Sequence, residues 1–202
     1  MPIPFQDATD VDALGAAAFL KVEPAPGWGG RAGGEPDQPA ARSGYVGALF
    51  LVNARGEPLE FAYNRVSVPP HTFLWRTRDL RRHAERKLVA SLLAVCGRTP
   101  RLLLCLADEV GSELFCQDLR VELPVARLGR SSAALAYAAA EVPEALPEPE
   151  PEPLHLFWFP EPPAPDSAPR RLLDHLRAHG LLQEPFERAT TGLREVFDEG
   201  PP

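Results

Sequence analysis

His83, Glu85 and Cys116 are the residues of this sequence whose types and spacing could do chemistry. In His83-Ala84-Glu85 an imidazole able to ligate a metal stands two positions from a carboxylate able to move a proton. Cys116 is a further thiol later in the chain. Glu85 also has a purely structural reading. It falls within the apolar arc of a helix, where Arg81 one turn earlier can pair with it. His175 and His179 share a helix face at the same spacing but lack the glutamate that a zinc-protease helix carries between them, and they read as an imidazole pair. No serine stands in Gly-x-Ser-x-Gly. There is no Gly-x-x-x-x-Gly-Lys-Ser/Thr loop, and the Gly-rich run around Trp28 follows no strand, so it does not read as a phosphate cradle.

Elements must hold these groups in place. Residues 45–68 read as two strands around Asn53-Ala54-Arg55-Gly56, a turn ending on a glycine at positive φ. The first strand is apolar on both faces and should be covered on both. The second sets Leu59, Phe61 and Tyr63 against Glu60 and Asn64, the alternation of a strand nearer the sheet edge. A helix follows from Thr77 or Asp79 to Cys96, with Leu80, Ala84, Leu88, Leu92 and Val95 on one arc. The run Leu102 to Ala107 is a short apolar strand, and a helix between two buried strands implies a right-handed crossover with parallel pairing. Short helices are expected over Val11–Leu20, behind Asp10, and over Ser112–Leu119, while the Ala-rich residues 131–142 suit a helix capped by Ser131 or Ser132. Residues 24–44 read as a Gly/Pro-rich loop, and 143–153, alternating Pro and Glu, as an extended linker. The expected fold is α/β: a small mixed sheet of β-hairpin, crossover helix and parallel strand, with a C-terminal helical hairpin after the Pro-rich linker. The segments are an N-terminal region to residue 44, a core at 45–142, the linker, and a strand plus helical hairpin at 154–202. That hairpin is too short to bury much surface alone and is expected to dock on the core.

The order hairpin, helix bearing His83-Ala84-Glu85, strand, helix over residues 45–120 resembles the core of the cytidine-deaminase-like fold. The resemblance implies zinc held by His83 and Cys116, with Glu85 shuttling protons. The Pro-Cys-x-x-Cys that completes such a site is missing: Cys116 stands alone and Cys105 lies inside the apolar strand. That is one ligand short of the three a catalytic zinc takes from protein. A zinc hydrolase on a possibly degenerate deaminase-like core is therefore the alternative reading; the main one expects no metal and no cofactor.

Composition bounds the rest. The chain has 202 residues, 45% hydrophobic and 24% charged, enough for one globular domain, and its 24 prolines cluster in loops and linkers. A net charge of −7 argues against nonspecific nucleic-acid binding, which needs a face dense in Lys and Arg. The basic cluster Arg76–Arg82 is interrupted by acid and reads as a solvated helix face. No apolar run is long enough to span a membrane. The first ten residues carry Asp where a secretory leader carries Lys or Arg, and the three cysteines read as reduced thiols, which together imply the cytoplasm. Richness in Ala, Arg, Pro and Leu suggests a GC-rich bacterial gene. With no catalytic set complete, the sequence reads as a non-enzymatic bacterial accessory or adaptor protein acting through a protein partner of unknown identity. Phe157, Trp158 and Phe159 are its candidate partner-binding residues.

Overall fold

The computed structural model describes residues 11–25, 44–67, 74–130, 140–146 and 154–198. Its strands are β1 (Ala16–Pro24), β2 (Gly44–Asn53), β3 (Pro58–Ser67), β4 (Leu102–Leu106), β5 (Val125–Gly129), β6 (Val142–Ala145) and β7 (His155–Phe159). They form one sheet in the order β3-β2-β1-β4-β5-β7-β6. β1 runs antiparallel to β2 and parallel to β4, β4 is parallel to β5, and β7 is antiparallel to both β5 and β6. Helix α1 is the short turn Val11–Leu14. Helix α2 (Thr77–Val95) crosses from β3 to β4 over one face of the sheet, while α3 (Ala168–Ala178) and α4 (Glu184–Asp198) cover the other. The α/β class expected from the sequence is the one observed, with a larger sheet.

Period-two burial builds the three layers. On β1, Ala17 and Phe19 face α3 and α4, whereas Ala18, Leu20 and Val22 face α2. On α2, Leu88, Val89 and Leu92 are fully buried against that second set. The helix comes so close that a Cβ on Gly47 of β2 would lie 2.9 Å from a Leu88 methyl. It begins at Thr77, with Arg76 as N-cap and no side-chain capping bond. On the opposite face Phe186 meets Phe19 edge to face at 5.1 Å, and Leu172, Leu173 and Leu176 are inaccessible.

The centre of the sheet is where sequence expectation and structure part. The helix expected over Val11–Leu20 stops at Leu14. Gly15, at φ 80°, ends the turn, and a Cβ there would stand 2.6 Å from Arg101 Nε. From Ala16 the chain is an interior strand, paired with β2 on one side and β4 on the other. Helix propensity separates ordinary residues by under about 0.7 kcal/mol each, but burying Phe19, Leu20 and Val22 between two layers stabilises by roughly 1.5–3 kcal/mol apiece. Burial decides. The first residues of the expected linker form edge strand β6, where Glu144 accepts a bond from Trp158 Nε1 at 2.7 Å and pairs with Arg170 at 2.8 Å. The helix expected over Ser112–Leu119 is a single π-helical turn, Leu114–Asp118. Residues 131–139, the Pro-Glu repeat from 147 to 153 and Trp28 lie outside the described residues. Phe157 and Trp158 are fully buried in β7 and Phe159 is half-buried, so the first two offer a partner no aromatic surface.

Candidate functional site

The parallel strands β1, β4 and β5 end at one edge of the sheet, and β1 has the antiparallel β2 on its other side. The crevice outside such strand ends is where open α/β sheets hold ligands. Here it is floored by residues 107–111, the turn after β4, closed by a bond from Val110 N to Leu106 O at 3.0 Å. Arg127, on β5, supports the turn from beneath, donating to the carbonyls of Ala107 at 3.3 Å and Val110 at 3.0 Å. The same guanidinium grips Glu141 through two bonds of 2.6 and 2.8 Å, with both side chains only 2% exposed. Arg81, on α2, holds the turn from the side through the carbonyls of Asp108 at 3.1 Å and Glu109 at 2.8 Å.

Around the turn lies a cleft of about 420 Å³, walled by Arg78, Arg81, Arg82 and Arg127 with Glu85, Asp108 and Glu113 among them. Arg82 donates to Asp118 at 2.6 and 2.7 Å and to Gln117 at 3.1 Å; Arg78 pairs with Glu113. On the other face of the sheet a second cavity, of about 500 Å³, has an apolar floor of Leu106, Leu128, Leu154 and Phe186. Asp108 lines both. Between them Lys21, at the end of β1, pairs with Glu109 and with Glu23 at 3.2 Å. Burial disfavours the Lys21 charge, but bonding to Glu109 and Glu23 outweighs it and raises its pKa. Burial also pushes Glu109 up, against the pull of Lys21.

The structure separates the residues that the sequence suggests for metal chemistry. Glu85 is buried and faces inward, accepting from Arg81 Nε and from Gly111 N at 3.3 Å. His83 turns outward, its ring 5.1 Å from that of Trp75, and burial together with the Lys87 and Arg86 charges lowers its pKa. Cys116 sits in the π-helical turn, where burial pushes its thiol up to about 11. Among the described residues no three His, Cys, Asp or Glu side chains converge to hold a metal ion. The reason is visible at the edge. Its carboxylates face guanidinium or ammonium groups rather than one another: Glu85 with Arg81, Glu109 with Lys21, Glu141 with Arg127. Sequence reasoning found the Arg81–Glu85 pair but missed the other two. Their signal was a lone charge inside an apolar strand, Lys21 in Phe19-Leu20-Lys21-Val22 and Arg127 in Val125-Ala126-Arg127-Leu128.

No family model and no curated protein matches the chain. A search of solved structures finds a likeness of fold to the endonuclease V of Bacillus subtilis, with a TM-score of 0.56 and 13% identity over 96% of this chain and 85% of that one. Two expectations are corrected by it. The reading as a non-enzymatic adaptor rested on a missing catalytic set and a tail in need of a partner. The tail is packed on its own sheet, and the fold is one that an endonuclease uses. Among the described residues His83, Glu85 and Cys116 form no metal-holding group, so the geometry lends the deaminase-like alternative no support. The argument from net charge against nucleic-acid binding is overturned too. Charge −7 is an average over the whole chain, whereas α2 alone carries five basic residues against two acidic. Among the described residues no helix is long and apolar enough to cross a membrane.

Proposed function

We propose that this protein binds nucleic acid at the carboxyl edge of its parallel strands, with the phosphate backbone seated in the arginine cleft between α2 and residues 107–114. The observation that carries the reading is the row Arg78, Arg81 and Arg82 lining a cleft at that edge of an endonuclease V-like scaffold. Acids in the cleft oppose an anion, so magnitudes matter. Arg78 is 76% exposed and its partner Glu113 25% exposed, and such surface pairs are worth about 0–1 kcal/mol. A phosphate can displace Glu113 at little cost, and release of counterions from the nucleic acid adds a driving force that the internal pair lacks. The three unpaired cysteines suit a reducing cytoplasm.

The test is fluorescence anisotropy of a labelled oligonucleotide, single-stranded and duplex, over a salt series. Binding should weaken linearly in log–log form with salt, and the double variant Arg78→Ala/Arg82→Ala should flatten the slope by about two. A wild-type protein that binds neither oligonucleotide at low salt would falsify the reading. Cleavage of the same oligonucleotide, followed on a gel with and without added divalent cation, then tells whether binding leads to hydrolysis.

A further inference from the structure

The most unusual surface feature lies just outside the cleft. Trp75 precedes α2 and is 39% exposed, and its neighbour Leu74 is also exposed. The other described tryptophan, Trp158, is fully buried with its Nε1–H bonded to Glu144. Trp75 is not loose. The imidazole of His83 lies 5.1 Å from it, with the ring planes tilted by 46°, so a neighbouring ring braces the indole while about two-fifths of its surface stays exposed. Its surroundings are basic. Arg76 and Arg78 follow it in sequence, and Arg78, Arg82 and Arg86 recur every fourth residue along α2. Four residues of helix advance by about 6 Å, so these three guanidiniums make a row about 12 Å long that begins at the indole.

We infer that Trp75, braced by His83, is a stacking platform for an unpaired base, and that the nucleic acid this protein prefers is single-stranded, its backbone running along Arg78, Arg82 and Arg86. The inference rests on the cleft reading above and adds the strand state to it. A base reaches an indole face only when it is out of its own duplex stack. Aromatic platforms beside a basic groove are how single strands are held without regard to sequence, because every base has a π-face. Charge complementarity selects this occupant over a protein. An apolar partner surface would have to desolvate Arg76 and the arginines of the adjoining helix α2, whereas a phosphate backbone uses them. The His83 brace matters energetically as well, since a ring already fixed loses little freedom when a base stacks on it.

The experiment compares wild type, Trp75→Ala, Trp75→Phe and Arg86→Ala in binding oligothymidylate and a duplex of equal length, with thermal unfolding of each variant as a check on folding. Trp75→Ala should weaken oligothymidylate binding about five- to hundred-fold and leave duplex binding unchanged. Trp75→Phe should keep most of the affinity, and Arg86→Ala should lower the salt slope by about one. In the wild type, oligothymidylate should quench tryptophan fluorescence, and Trp75→Phe should lose that quenching. Equal affinity of wild type and Trp75→Ala for oligothymidylate sinks the platform while leaving the cleft reading standing. A preference of the wild type for duplex sinks it too. Failure of the wild type to bind either nucleic acid removes both readings at once.

Discussion

Two guanidinium–carboxylate pairs flank the same turn and do opposite work. Arg127 and Glu141 are each 2% exposed and joined by two bonds, and Nη1 of the arginine donates to the carbonyls of Ala107 and Val110. Arg78 and Glu113 are 76% and 25% exposed and meet on the surface. A buried pair is valuable chiefly because breaking it strands a charge in the core; an exposed pair is cheap to open because water and salt already compete for it. The first therefore holds the floor of the cleft in place, and the second can be exchanged for a ligand. Position in the fold, not residue type, divides the arginines of this protein into structural and available ones.

Breaking the buried pair should give the largest effect. Arg127→Met removes the guanidinium that makes two bonds to the buried Glu141 carboxylate and should cost about 3–5 kcal/mol, read from the urea midpoint, while Arg127→Met with Glu141→Leu should recover most of it. A single variant within about 1 kcal/mol of wild type would remove the buried-charge account. The half-buried node comes next. Arg170 and Glu144 are 20% and 24% exposed. Burial works against the Glu144 carboxylate, but bonds from Arg170 and Trp158 outweigh it and hold its pKa below the usual 4.5. Its contribution to stability is thus present above that value and lost as pH falls through the lowered one. Glu144→Gln should flatten the acid limb of a plot of melting temperature against pH below about 4.5 and leave the neutral region less affected; an unchanged acid limb would argue that another carboxylate dominates. Opening the exposed pair should matter least to folding. Arg78→Ala should change stability by no more than about 1 kcal/mol and yet reduce the salt slope of oligonucleotide binding by about one. Should Arg78→Ala unfold the protein as readily as Arg127→Met, the distinction between the two pairs collapses.

Much of the fold can be read locally. The β2–β3 hairpin, its Asn53 to Gly56 turn with Gly56 at φ 77°, and α2 with its Leu88 and Leu92 face follow from alternation, turn chemistry and a period of 3.6. So do the two terminal helices. Each of these patterns lies within a few residues and has one dominant reading. β1 does not. Ala16-Ala17-Ala18-Phe19-Leu20 suits a helix locally, and only cover from both sides makes it a strand. β6 is hidden for the opposite reason, since Pro143 and Glu144 look like linker until Trp158 and Arg170 claim the carboxylate.

For the site, the i, i+4 spacing of Arg81 and Glu85 was enough to anticipate their pair, because helix geometry alone brings them together. Lys21 and Glu109 are 88 positions apart and Arg127 and Glu141 are 14 apart, and no local rule links either pair. The sequence alone determined the α/β class, the hairpin, the amphipathic helices and the concentration of arginine on α2, since each follows from short-range periodicity and turn geometry. Only the tertiary structure decided that β1 is an interior strand, that the carboxylates are tied to cations instead of gathered for a metal, and that His83 supports an exposed tryptophan. Those outcomes depend on burial and on contacts between distant segments, which exist only once the sheet has closed around its core.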